Sequence, residues 1–206
     1  MSHQTTLLWE AIGFTVFFLY GSFFEWWFHK YMFHSPKIVK RTFVHHTLIH
    51  HQVYKFEPES YEWHAPREKD HITMDWWALP AFLAVHAPVL IGFQMLTHLP
   101  VAIGGLLAIA TYYGIYEYFH YAMHVPGPQW FQRSKLFLFV KEHHRVHHKY
   151  MLHNLNVFFP LADTVLGTYR TEFTSPRIER NKGANRAKAA AQVKTQRQKA
   201  TVSAAE

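Results

Sequence analysis

The chain of 206 residues contains no cysteine. That absence excludes a disulfide framework, thiolate zinc sites and cysteine nucleophiles together, and it is compatible with a reducing compartment. Acidic residues are also few, 14 against 21 Lys and Arg, which leaves a formal net charge of +7. A basic balance of this kind raises the question of nucleic acid, which the location of the charges answers below. No internal repeat is visible. The apolar stretch near the N-terminus lacks the basic n-region and small-residue cleavage site of a signal peptide, so it reads as part of the mature protein. What the chain holds in quantity is hydrophobic residues (49%), aromatics (17%) and 18 histidines. The length predicts one domain with room for a substantial core, and so many imidazoles imply something to bind.

Three apolar stretches set the fold expectation. From Thr6 to Phe24 the chain is apolar except for Glu10 and a few small polar residues, close to the roughly 20 residues needed to cross a bilayer. A second stretch runs from Trp76 to Leu96 and a third from Leu99 to about Tyr118, joined by "THLP". Pro100 suits the first turn of a helix, so the pair reads as a tight helical hairpin. Trp26-Trp27 and Trp76-Trp77 stand where an aromatic belt would lie. The expected fold is an all-α membrane protein with about three transmembrane helices, one N-terminal span plus the hairpin, carrying a cytoplasmic, histidine-rich helical cap. The competing reading is a soluble bundle with buried helices, since Glu10, Pro80, His86 and Pro88 interrupt the stretches.

Charge placement tests this independently. With three spans, residues 29–74 and everything after about 120 lie on one face, and all 21 Lys and Arg residues fall there. By the positive-inside rule that face is cytoplasmic, and the basic excess becomes a signal of topology with no nucleic acid implied. Residues 1–174 form the expected membrane domain. The tail at 175–206 is basic, Ala-rich and nearly free of large apolar residues, and is expected to be disordered or a frayed surface helix near anionic lipid.

The histidines fall into four clusters: "HKYMFH", "HHTLIHH", "HYAMH" and "HHRVHH". All four lie on the cytoplasmic face of the expected topology. Helix positions three or four apart share a face, so His120 and His124 can converge on one metal, as can His46 with His50, and His144 with His147 or His148. Adjacent residues diverge by about 100° on a helix, so His147 and His148 can serve two different metals, which hints at a two-metal site. His29 and His34, five apart, share no face of a straight helix and must serve different metals or straddle a helix end. Imidazole suits zinc, copper, iron and nickel alike. Eight or more imidazoles exceed what one four-coordinate structural zinc requires and point to two metals, for which iron activating dioxygen is the most useful identity at a membrane boundary.

The combined pattern H-x4-H, H-x3-H-H, H-x3-H, H-x2-H-H around a membrane hairpin resembles the fatty acid hydroxylase/sterol desaturase superfamily of membrane di-iron oxygenases, over roughly residues 5–170. The stretch "NLNVFFPLADTVLGT" is similar to that family's closing segment, with Asn154, Asp163, Gly167 and Thr168 matching in order. The chain departs from the family pattern where three residues separate His46 from the His50-His51 pair, leaving His45 or His46 as the ligand, and where Asn156 and Ala162 replace a common Gly and a common aromatic. "HKYMFH" also resembles the first box of bacterial carotenoid hydroxylases, but their third box has four intervening residues where His120 and His124 have three, which favours the lipid hydroxylase branch.

The resemblance implies His29, His34, His46, His50, His51, His120, His124, His144, His147 and His148 as iron ligands, with His45, His143 and His153 in reserve. Metal-bound histidines usually donate their second ring N–H to a carboxylate or carbonyl, which makes Glu25 and Glu117, a turn before His29 and His120, candidates for that contact beside Asn154 and Asp163. Gly167 implies a tight turn behind Asp163. His86 and His98 are expected to be structural, and His3, His64 and His71 to lie in loops. The implied activity is hydroxylation of an unactivated C–H bond of a lipid at two irons with O2 as co-substrate, or desaturation by the same chemistry. Electrons would come from an external ferredoxin or cytochrome with its reductase, since no flavin, haem-domain or iron–sulfur segment is visible. Two other classes compete: a b-type cytochrome using histidines within the spans, such as His86, and a histidine-rich metal transporter or metal-binding protein, whose ligands should lie near the bilayer midplane.

Overall fold

A computed structural model describes residues 2–63 and 71–171; the basic tail and His64 lie outside them. The described residues are helical and contain no strand. Helix α1 (His3–Phe28) opens at Ser2, whose Oγ accepts the N–H of Thr5 at 3.3 Å, so His3 is the first helical residue and not a loop residue. The helix continues through a π-helical turn, His29–Phe33. Short pieces follow: α2 (Lys40–Phe43), a second π-helical stretch (Val44–His50), α3 (His51–Val53) and α4 (Pro58–Tyr61). Two long helices, α5 (Ala78–Thr97) and α6 (Ala102–His124), form the hairpin, and α7 (Lys135–Lys149) and α8 (Leu161–Val165) complete the fold.

Among the described residues two helices are long and apolar enough to cross a membrane, His3–Phe33 and Ala78–Thr97. The tyrosine-rich α6 has the length without matching apolarity. Its expected range is also corrected: α6 starts at Ala102, after Pro100, and runs past Tyr118 to carry His120 and His124. Pro100 thus precedes the helix. The first turn is capped in trans, because Gln94 Oε1 accepts the N–H groups of Val101 and Ala102 at 3.1 and 3.0 Å, and Glu10 Oε2 accepts that of Gly104 at 2.6 Å. Both polar residues satisfy amides that a helix start leaves without intrahelical partners. His98 ends α5 in the left-handed region (φ 60°), its N–H returning to Gln94 O, a structural role as expected.

Small residues set the spacing of α1 and α6, which run parallel. A Cβ on Gly104 would sit 2.0 Å from the carbonyl oxygen of Glu10, and one on Gly21 would meet the Tyr112 ring at 2.5 Å. Close approach through small residues is the packing available to helices whose outer surface gains nothing by burial in lipid. Leu7, Leu8, Val16, Val85, Val89 and Leu107 point outward and exposed. His86 is buried on α5, with Tyr20 Oη at 3.2 Å and the Phe82 carbonyl at 2.7 Å. Above the hairpin, α7 is amphipathic: Ser134 caps it, and its buried face carries Phe137 and Val140 followed by His144, His147 and His148.

Candidate metal centre

Four segments bring the histidines together: the end of α1, the second π-helical stretch with α3, the end of α6, and α7. The ten histidines implied as ligands converge in two adjoining groups. His29, His34, His46, His51 and His147 form one, with one ring nitrogen from each lying within 4.8 Å of all the others; His50, His124, His144 and His148 form the second by the same measure. His120 joins the second group, its ring 4.8 Å from those of His50 and His144 and 5.2 Å from that of His124. The groups share a wall, since His51 of the first packs 4.3 Å from His148 of the second.

The π-helical turns decide the assignment. An i→i+5 turn places residues five apart on one face, and the bond from His34 N to His29 O (3.1 Å) closes such a turn. His29 and His34 therefore stack at 5.0 Å in one group; of the two alternatives for residues five apart, separate metals or a helix end between them, the second holds, since the regular helix ends at Phe28. The second π-helical stretch does the same for His46 and His51 and sends His50 to the other group, so the expected pairing of His46 with His50 is replaced. In the regular helix α7, His144 keeps His148 while His147 crosses to the first group, as neighbouring helical positions must. Of the three reserves, His45 is exposed; His143 is buried against Asp163, its Nε2 3.1 Å from Oδ2; and His153 contributes its carbonyl. None belongs to either group.

Backbone carbonyls fix five of the ten rings. His29 Nδ1 meets Leu155 O at 2.5 Å, His147 Nδ1 meets His153 O at 2.9 Å, His50 Nδ1 meets His71 O at 2.9 Å, His124 Nδ1 meets Tyr61 O at 2.8 Å and His148 Nδ1 meets Tyr54 O at 2.7 Å. His34 Nδ1 lies 2.9 Å from Thr47 Oγ1, whose own proton goes to Phe33 O at 2.7 Å. These contacts set the Nδ1–H tautomer and leave Nε2 with a free lone pair. Thr47, inside "HHTLIHH", is the one such side chain that the sequence reading missed; the carbonyls leave no trace in side-chain spacing, and His71 acts through its backbone.

The four carboxylate and amide candidates do not hydrogen-bond to the rings of the two groups. Glu25 accepts from Tyr112 Oη (2.6 Å), Asn156 Nδ2 (3.0 Å) and Val157 N (2.6 Å). Glu117 accepts from Met74 N at 3.2 Å. Asn154, left-handed at φ 53°, holds His143 O and both backbone groups of Arg170. Asp163 accepts four hydrogen bonds, from Leu155 N, Asn156 N, Thr168 Oγ1 and His143 Nε2. Each holds a segment that in turn presents carbonyls to the imidazoles, because those segments are irregular and need partners for buried amides.

The donor set fits metal ions. His34 Nε2 and His147 Nε2 face each other at 3.1 Å, and His124 and His148 both direct Nε2 at His144 Nε2, at 3.3 and 3.1 Å. In the first pair both lone pairs are free, and in the second a single ring cannot donate to two neighbours. Such contacts repel unless a cation lies among them. Nitrogens bonded to one ion at about 2.1 Å and set at right angles lie about 3.0 Å apart, close to these separations. The buried His50 Nε2 has no hydrogen-bond partner among the described residues. Burial pulls His34 down to about 2, His50 to about 3 and His147 to about 4, so at neutral pH these rings are neutral and able to ligate.

An apolar cavity of about 500 Å³ opens beside the centre. Phe24, Phe28, Phe33, Phe82, Val85 and Tyr116 line it together with the buried His46, His50 and His120, and Arg41 and Asp75 pair at 2.9 Å on its lining. Fold and site together define an all-helical protein with apolar helices of membrane-crossing length and two buried histidine clusters capable of holding metal ions. Comparison with protein-family models, with curated proteins and with solved structures gives no match for the chain.

Proposed function

We propose that the protein is a membrane di-iron oxygenase that hydroxylates an unactivated C–H bond of a lipid, in keeping with the family its histidine pattern resembles. One observation carries the reading: two adjoining all-imidazole groups, each orienting its nitrogens toward a common point, open onto a cavity lined by aromatic and aliphatic side chains. His29, His34, His46, His51 and His147 would hold one iron, and His50, His120, His124, His144 and His148 the other. Bound there, the pair would supply reductive activation of dioxygen for hydroxylation, with two electrons from an external donor and two protons accounting for the second oxygen atom as water. The chain's own residues would keep the rings in the ligating tautomer and exclude water from the reacting carbon. The aromatic wall formed by Phe24, Phe28 and Phe82 would bind an apolar chain and direct it toward His46, His50 and His120.

In this reading α6 is the third span, the four histidine segments face the cytoplasm where Lys and Arg concentrate, and a separate ferredoxin or cytochrome with its reductase delivers electrons. The transporter reading has less support. The one buried histidine inside a helix of membrane-crossing length and outside the groups, His86, is hydrogen-bonded to Tyr20 and Phe82. Metal analysis and Mössbauer spectroscopy of protein purified without a His-tag, after expression with added iron, test the proposal. Two irons per chain in nitrogen-rich sites are expected. Little iron, with another metal bound at variable stoichiometry to a folded protein, would overturn it.

A further inference from the structure

Residues 155–169 are expected above to lie in the cap, yet they pack along the apolar length of α1. The Phe158 and Phe159 rings each approach that of Phe18 at 6.3 Å, and Phe158 lies 4.7 Å from Tyr112 on α6. Ser22 Oγ donates to Phe159 O at 2.8 Å and accepts from Ala162 N at 3.0 Å. Ser22 and Phe18 precede His29 by seven and eleven residues, and at 1.5 Å per residue the segment reaches about 10–16 Å below the ligand level along the helix. If α1 crosses a membrane, this irregular stretch lies within the hydrocarbon.

Irregular backbone survives at that depth when protein groups satisfy its amides and carbonyls. Here they do. Val157 N goes to Glu25, Asn156 N and Leu155 N to Asp163, Asp163 N to Asn156 Oδ1, and Leu155 O receives His29 Nδ1. Glu25 and Ser22, polar positions within an otherwise apolar span, thereby gain a reason to be there. Composition agrees: from Tyr150 to Tyr169 the only Asp, Glu, Lys or Arg is Asp163, fully buried, while Lys149 and Arg170 flank the stretch. The outward side chains include Val165, 61% exposed, and Leu166, 46% exposed; the exposed Thr164 keeps its hydroxyl proton within the segment, donating to Pro160 O at 2.7 Å.

We infer that residues 155–169 form a re-entrant membrane segment, whose α8 turn inserts Val165 and Leu166 among the acyl chains of the leaflet adjoining the metal centre. The occupant of this apolar face is lipid, because the face continues the outer surface of α1 and ends at a cation on either side. The segment then ties His29 and His147, through the carbonyls of Leu155 and His153, to the membrane boundary. The inference rests on α1 and α5 crossing the bilayer, and the test separates the two ideas.

Since the chain has no cysteine, Val165→Cys and Leu166→Cys each carry one nitroxide label without further change. Val89→Cys on α5 and Lys55→Cys in the cap serve as references, both at exposed positions. In phosphatidylcholine/phosphatidylglycerol vesicles, power-saturation electron paramagnetic resonance compares collision with O2 and with a water-soluble nickel chelate. The expected log ratio of O2 to nickel accessibility is positive at positions 165, 166 and 89 and negative at 55. A negative ratio at 165 and 166 with a positive one at 89 overturns the re-entrant segment and leaves the spans intact. A negative ratio at 89 as well overturns both.

Discussion

If the two histidine groups each hold an iron as proposed, replacing Asp163 should empty one site and spare the other. Its carboxylate is fully buried and accepts Leu155 N at 2.9 Å, Asn156 N at 2.7 Å, Thr168 Oγ1 at 2.6 Å and His143 Nε2 at 3.1 Å. Asp163→Ala leaves two buried backbone amides without acceptors, at about 1–3 kcal/mol each. Asp163→Asn keeps one accepting oxygen and turns an NH2 toward donors, a milder form of the same fault. The held loop supplies Leu155 O to His29 and His153 O to His147, and both rings belong to the first group. Loss of such supporting contacts typically lowers metal affinity about 10- to 100-fold, or about 1.4–2.8 kcal/mol. The second group takes its carbonyls from Tyr54, Tyr61 and His71, outside the loop. Equilibration of wild type and both variants against chelator-buffered iron(II), with metal counted per chain and folding checked by near-ultraviolet circular dichroism, should show a range of free iron where wild type holds two ions and the variants one. Equal loss from both sites in a folded variant, or no loss, would refute this account of what Asp163 does.

The neighbours His45 and His46 should differ sharply: His46→Ala removes a ligand and lowers metal content, whereas His45→Ala, at an exposed position outside both groups, leaves it unchanged. Gly104→Ala should cost about 1–3 kcal/mol by overpacking, because its Cβ falls 2.0 Å from the Glu10 carbonyl; Gly114→Ala, with open space around it, should be neutral or slightly stabilising, and thermal unfolding in detergent separates them. For metal-free protein, His50 and His147 titrate at about 3 and 4 when folded but near 6.5 when unfolded. The unfolded chain therefore binds more protons below pH 6.5, and stability present above that value is lost as pH falls toward 4, by about 1.4 kcal/mol per pH unit for each ring. A melting temperature that rises on acidification over pH 6.5–5 would contradict the burial of these rings in neutral form.

Much of the architecture was legible because apolar runs are properties of the chain itself. The long helices α1 and α5 and the hairpin follow from hydrophobic patterning, and the four histidine segments from composition. The partition of the histidines was not legible. It turns on two stretches of π-helix, where the hydrogen bonds shift from four residues to five, whereas spacing read at the regular helical period allowed His46 to pair with His50 and left the partner of His34 open. Nor could the sequence show that carbonyls hold the rings, because every residue carries one and only the path of the backbone brings Leu155 to His29 or Tyr54 to His148. Glu25, Glu117, Asn154 and Asp163 stood out as polar residues near the histidines, yet what each one grips is loop backbone. Sequence by itself determined which residues were available: twelve clustered imidazoles, apolar helices long enough for a membrane, no thiol to compete. The tertiary structure decided which imidazoles share a site, since that depends on local helical pitch and on backbone contacts across more than a hundred residues, such as the 126 separating His29 from Leu155.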